Sequence, residues 1–111
     1  MSNRVSLARS IDAGATGQII KAAPGVIYSY ALFNTASSWR YVKLYNQATT
    51  PQASDAPAVT IPVPPGGGAN LSLEHGWNFW AGIGYRATTG VADDDNGAPG
   101  ANEVIVAVGY V

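Results

Sequence analysis

The chain predicts an all-β fold, an antiparallel β-sandwich of seven or eight strands with jelly-roll-like topology, and three observations lead there. Short runs of β-branched and aromatic residues recur along the chain, each bounded by Gly, Pro, Asn, Asp or Ser. No run repeats apolar residues at helical spacing. Two prolines at alternate positions in Ala58 to Pro65 (AVTIPVPP) mark a strand suited only to a sheet edge. Many short strands without helices bury their apolar faces against a second sheet.

Met1 to Gly17 opens the chain with Val5, Leu7 and Ile11 on one side, interrupted by Arg9, against Arg4, Ser6, Ser10 and Asp12 on the other. Two readings stand side by side. One is an arm that packs on another chain, swung on the small, flexible Asp12 to Gly17 linker; the other is a first strand of the same sheet. The domain division follows the first, with an N-terminal arm and linker at 1–17 and the β-sandwich domain at 18–111. On that division, deleting residues 1–11 leaves the domain folded.

Gln18 to Ala22 is a short strand closed by Pro24-Gly25, where proline presets one dihedral and glycine accepts positive φ. Val26 to Asn34 (VIYSYALFN) and Trp39 to Gln47 (WRYVKLYNQ) then read as two long neighbouring strands joined through a Thr/Ala/Ser turn. On the second, Val42 and Leu44 take the core, while Trp39, Tyr41, Lys43 and Tyr45 share the opposite face. Lys43 is seldom buried without a partner, so that face is expected to reach solvent or an interface. On the first, Tyr28, Tyr30 and Leu32 oppose Ile27, Ala31 and Phe33, and the turn's length decides which set faces inward.

Ala48 to Pro57 has the composition of an exposed loop. In Ala58 to Pro65, Val59, Ile61 and Val63 alternate with Thr60, Pro62 and Pro64. Residues two apart direct their N–H groups to the same edge, so both prolines delete donors there; the alternative is a polyproline-like connector. Gly66-Gly67-Gly68 is a turn rather than a phosphate loop, because no lysine or helix-forming run follows. Ala69 to Leu73 is a short strand with Leu71 and Leu73 inward, and Glu74-His75-Gly76 turns the chain. Trp77 to Thr88 reads as one strand with Gly82 and Gly84 on one face, leaving a slot or admitting close backbone approach. Thr89 to Asn102 is an acidic loop, and Glu103 to Val111 (EVIVAVGYV) a central strand buried on both sides.

Composition narrows the function. At 111 residues the chain is one domain, with enough length for a core without staples. It has no cysteine, so disulfides and thiolate-bound metals are excluded. Only 12% of residues are charged, against about 25% ordinarily, and the net charge is −1. Electrostatic binding of nucleic acid is therefore not expected, and self-association meets little repulsion. The N-terminus lacks the apolar run of a secretory signal. The uncharged stretch from Ala22 to Trp39 is broken by Pro24-Gly25 and Asn34 to Ser38, so no membrane helix is expected, and a soluble protein is.

Chemistry is sparse. Asp93-Asp94-Asp95-Asn96-Gly97 with Glu103 partly matches a calcium loop, but Ala92 falls where the first aspartate belongs, and a solvated acidic loop is the better reading. His75 is the only histidine. Ser72, Asp55 and His75 make a triad on paper, yet no nucleophile elbow surrounds any serine. Outside the acidic loop, Asp12, Asp55 and Glu74 offer no evident carboxylate pair for glycoside hydrolysis. No catalytic residue, cofactor or metal site is assigned. Trp39, Tyr41, Tyr45, Trp77, Trp80 and Tyr85 remain, as core, as protein interface or as sugar-stacking platform. The interface candidates are Arg4, Val5, Leu7 and Arg9 on the arm, with Trp39, Tyr41, Lys43, Tyr45 and Trp80 on the domain.

Three features carry a family resemblance: the Arg40 to Asn46 strand (RYVKLYN), the Thr60 to Pro64 strand (TIPVP) with its glycine turn, and the small-residue, Asp-rich loop from Thr89 to Ala101. In these the chain, from about Gln18 onward, resembles small structural proteins of tailed bacteriophages that decorate or cement the capsid. The resemblance implies a non-enzymatic virion protein on the capsid surface, assembled in the host cytoplasm. It implies the major capsid protein as partner and a homo-oligomer, in many such proteins a trimer. The alternative expectation is a carbohydrate-binding or adhesion module using the exposed aromatics.

Overall fold

The computed structural model describes residues 4–111 and winds them into eight strands. They are β1 (Ser6–Ser10), β2 (Gln18–Lys21), β3 (Gly25–Asn34), β4 (Arg40–Tyr45), β5 (Val59–Val63), β6 (Gly67–Phe79), β7 (Ile83–Thr88) and β8 (Val104–Tyr110). All pairings are antiparallel, in one sheet ordered β1-β8-β3-β6 and a second ordered β2-β7-β4-β5. The first strand pairs with the last, the second with the seventh, the third with the sixth and the fourth with the fifth. A long hairpin rolled on itself gives this order, which is that of a jelly roll.

Period-two alternation explains the core. Val42, Leu44, Ile83 and Ala87 from the second sheet meet Ile27, Leu32, Val104, Val106 and Val108 from the first, all buried. Each fully buried Val, Leu or Ile contributes roughly 1.5–3 kcal/mol, so the sandwich needs no covalent staple. β5 lies at an edge, as its prolines require. Ala87 N donates to Gly14 O, away from β4, and that phase carries through β7 and β4 to leave Pro62 and Thr60 facing the open edge.

Several expectations are corrected. β3 and β4 are not paired; they belong to different sheets, and Thr35 to Trp39 crosses between them. The cause is Asn34, fully buried at the end of β3. Its Nδ2 donates to Ser38 O (2.8 Å) and Val63 O (3.1 Å), while its Oδ1 accepts from Ala36 N (2.9 Å). These bonds hold a corner where a hairpin turn was expected. The alternation of β3 also breaks at Tyr28, where the register shifts, so Ile27, Tyr30 and Leu32 all face inward while Ala31 and Phe33 face out.

Glu74-His75-Gly76 does not end a strand. Tyr28 of β3 lies opposite the whole of Leu73 to Gly76, a large bulge within β6. Gly76 sits at φ 76°, and a Cβ there would lie 2.4 Å from Val26 Cγ1. The expected single strand from Trp77 to Thr88 instead changes sheets at Trp80 to Gly82. Gly82 and Gly84 admit close backbone approach: a Cβ at Gly82 would lie 2.5 Å from Gln47 O.

Residues 6–10 pair with β8 in their own domain, so they form a first strand rather than a separate arm. Deleting them would expose an edge of β8. Residues 1–3 of the expected arm lie outside the described residues. β8 is central, flanked by β1 and β3, but only its inner face is fully buried; Ile105 and Ala107 are half-buried on the outside.

The rolled hairpin also sorts the connections. Those after β1, β3, β5 and β7 lie at one end of the sandwich, and those after β2, β4 and β6 at the other. Ala13 N to Val104 O and Gly66 N to Ala36 O tie the first set, and Ala81 N to Asn46 Oδ1 the second.

Candidate functional site

The largest difference between the two sheets is what lies on their outer faces. On the second sheet, Lys43 of β4 and Arg86 of β7 point outward and face each other in register, yet both are fully buried. Residues 89–97, 13–17 and the loop carrying Pro51 cover them and their neighbours. Lys43 Nζ donates to Ala92 O. Arg86 donates from Nε to Ala15 O (2.8 Å), from Nη1 to Tyr45 Oη (3.1 Å), and from Nη2 to Asp95 O (3.1 Å) and Asn96 Oδ1 (2.8 Å). Pro51, itself buried, presses on Gly84 and Gly17.

Lys43 and Tyr45 are therefore not surface groups, which corrects their placement among interface candidates. The loop that Lys43 binds lies 49 residues along the chain, beyond the reach of strand periodicity. Burial, reinforced by Arg86, pushes the Lys43 ammonium below its usual pKa, and Asp95, Asp93 and Asp94 oppose that. The acidic loop is braced from within: Asp95 Oδ1 accepts from Gly90 N (3.2 Å) and Gly97 N (2.8 Å). It covers two cations with Ala92 O, Asp95 O and Asn96 Oδ1, while Asp93 and Asp94 stay exposed.

The first sheet carries no such cover among the described residues. Val5, Leu7 and Arg9 are brought together on its outer face, with Leu7 69% exposed, and Arg4 is exposed just before them. Phe33 (42% exposed), Ala31 and Ile105 share that face and were not singled out as interface residues. The signal that finds them is the alternation of β3 and β8, once the break at Tyr28 is known.

Trp39 and Trp80 are well exposed but lie at opposite ends, one after β3 and the other after β6. They do not form a shared stacking platform. Tyr41 is half-buried on the outer side of β4. Trp77 turns inward against Tyr30, ring centroids 6.2 Å apart, and burial raises the Tyr30 pKa. Tyr85 is buried in the core.

Asp55 Oδ2 accepts from Gln47 Nε2 (2.9 Å) and Gln52 N (2.9 Å), which lowers its pKa, and its loop closes on itself. His75 stands exposed on the bulge with Glu74 3.5 Å away. No group of three or more His, Asp or Glu side chains is placed to hold a metal among the described residues. A polar groove of about 670 Å³ lies between residues 9–18 and 98–101, over Tyr85; a smaller one of about 450 Å³ opens beside Trp77 between β5 and β6. The larger is lined by Ser10, Asp12 and Thr16, but Ser10 Oγ accepts from Asp12 N (3.2 Å) and Asp12 Oδ1 from Asn102 N (2.7 Å). No protein-family model, curated protein or solved structure matches the chain.

Proposed function

We propose that this chain is a non-enzymatic structural protein of a tailed-phage virion, a decoration or cement protein that binds the major capsid protein at the capsid surface. The resemblance of the Arg40 to Asn46 and Thr60 to Pro64 strands and of the Asp-rich loop supports the virion assignment. The observation that carries a contact role is Trp80, 69% exposed on a turn that is itself held firmly. Ala81 N donates to Asn46 Oδ1 (2.9 Å), and Gly82 packs on the Gln47 backbone. A large aromatic presented on a fixed support loses little entropy on docking, the usual condition of an interface anchor.

The test is copurification of the full chain with phage capsids. Binding at fixed stoichiometry is expected, with an affinity loss of about 30-fold for Trp80→Ala, equivalent to about 2 kcal/mol. Absence of capsid binding refutes the reading. Glycan-array binding that disappears in Trp80→Ala would replace it with an adhesion role.

A further inference from the structure

The bare outer face of the first sheet has an order that suits one partner. Its register sets three rows across the central strands: Ser29 beside Gly109, then Ala31 beside Ala107, then Phe33 beside Ile105. On these two central strands the large side chains thus lie on one side of the alanine row and the small ones on the other, where Val5 and Leu7 supply the apolar bulk instead. The flanking strands add Leu7 and Arg9 from β1 and Asn70 and Gly68 from β6. Among these positions Arg9 alone is charged, and it sits at the margin.

We infer that this face packs on the same face of a second copy, about a twofold axis crossing the strands along the Ala31–Ala107 row. Rotation about that axis lays Phe33 over the partner's Ser29 and Ile105 over the partner's Gly109, which Val5 Cγ1 and Ser29 Oγ border, and the reverse, so each large group meets a small or apolar one. A twofold contact requires this self-complementarity, because every contact is made twice. The strands of the two stacked sheets then run within about 30° of one another, as in ordinary sheet packing.

Charge and area select the occupant. A charged partner surface would lose its solvation against a face with almost no countercharges. The same face of another copy brings none beyond Arg9. Four strands about 4.8 Å apart and about seven residues long span roughly 19 by 23 Å. Two such faces bury about 900 Å² in total, the size of a weak, transient contact. The pair is therefore weak, with a Kd on the order of 10–100 μM, and strengthens where copies are held side by side. Arg9 meets its own symmetry mate at the rim, so added salt screens a repulsion and tightens the pair.

Sedimentation equilibrium of the full chain from about 1 μM to 1 mM tests this without capsids, so its failure is separable from failure of the virion reading. A monomer–dimer equilibrium that tightens between 50 mM and 500 mM salt is expected. Ala31→Arg sets two guanidinium groups against each other on the axis and should weaken dimerisation at least 10-fold, with an unchanged urea midpoint because Ala31 is exposed. Phe33→Ser should weaken it comparably and stands in if Ala31→Arg misfolds. Trp80→Ala, far from the face, should dimerise normally. A monomer throughout the range, a dimer indifferent to both face variants, or one loosened by salt overturns the inference.

Discussion

Lys43 and Arg86 face each other directly across the β4–β7 pairing, and both are shut away from solvent. Like charges opposite one another on a sheet destabilise it, and burial strengthens the effect. What differs is how each is satisfied. Arg86 spreads its charge over four hydrogen bonds, three that tie β7 to the 13–17 and 89–97 segments and one to Tyr45 of β4, whereas Lys43 makes one.

Substitution by methionine, which keeps the aliphatic stem, separates the two roles. Arg86→Met leaves Tyr45 Oη and several loop carbonyls without their donor and should cost about 3 kcal/mol or more. Lys43→Met removes a repulsive charge for the loss of one bond and should range from neutral to about 1 kcal/mol stabilising. Urea denaturation at pH 7 measures both. Equal losses would mean that Lys43, too, holds its lid.

Glu103 gives the fold an acid-sensitive brace. Its carboxylate accepts from Gly100 N (2.8 Å) and Arg40 Nε (3.0 Å), and both bonds lower its pKa, the first more than the second. The native state therefore stays ionised after the unfolded chain has taken up a proton. The stabilisation is complete above about pH 4.3 and is lost as pH falls through the lower native value. The gap in urea midpoint between the parent and Glu103→Gln should be widest near neutrality and close in acid. A gap independent of pH would show that charge is not its source.

Gly17 is a test of the loop packed over the second sheet. A Cβ there would lie 2.1 Å from Pro51 O, a backbone atom with no room to yield. Gly17→Ala should cost about 1–3 kcal/mol and speed proteolysis within residues 48–57 as the loop lifts. Gly14→Ala, with nothing within 4 Å of the new methyl, is the control and should change neither.

Pro62 guards an open edge. Pro62→Thr returns an N–H donor to the outward side of β5 while leaving its pairing with β4 intact. Stability should shift by less than about 1 kcal/mol, but light scattering should report faster aggregation at high concentration. Unchanged solubility would mean that another feature blocks this edge.

The strands and the β5 edge are legible in the sequence because they rest on period-two patterns a few residues long, such as Val59, Ile61 and Val63 against Thr60 and Pro62. The neighbours of each strand are not. β3 and β4 part company because one amide, Asn34, bonds across a corner to Ser38 and to Val63, 29 residues away. Lys43 likewise reads as a surface residue until a remote loop closes over it. Among the interface candidates, those on β1 hold their exposed positions, since their strand has one outer face and no lid. Phe33 and Ile105 escape notice because each looks like an ordinary core residue in its own strand, and only the paired register places them outside together.

The rolled order sets a schedule for biosynthesis. β8 fills the middle of the first sheet, yet it is translated after both strands it joins. Until residues 104–110 leave the ribosome, β1 has no neighbour and β3 lacks one of its two. Nearly every pairing spans a long stretch of chain, which slows ordering and leaves apolar strands uncovered in the interval. A nascent chain halted before Val104 should consequently depend on chaperones, and completion of the last strand should trigger folding of the whole domain at once.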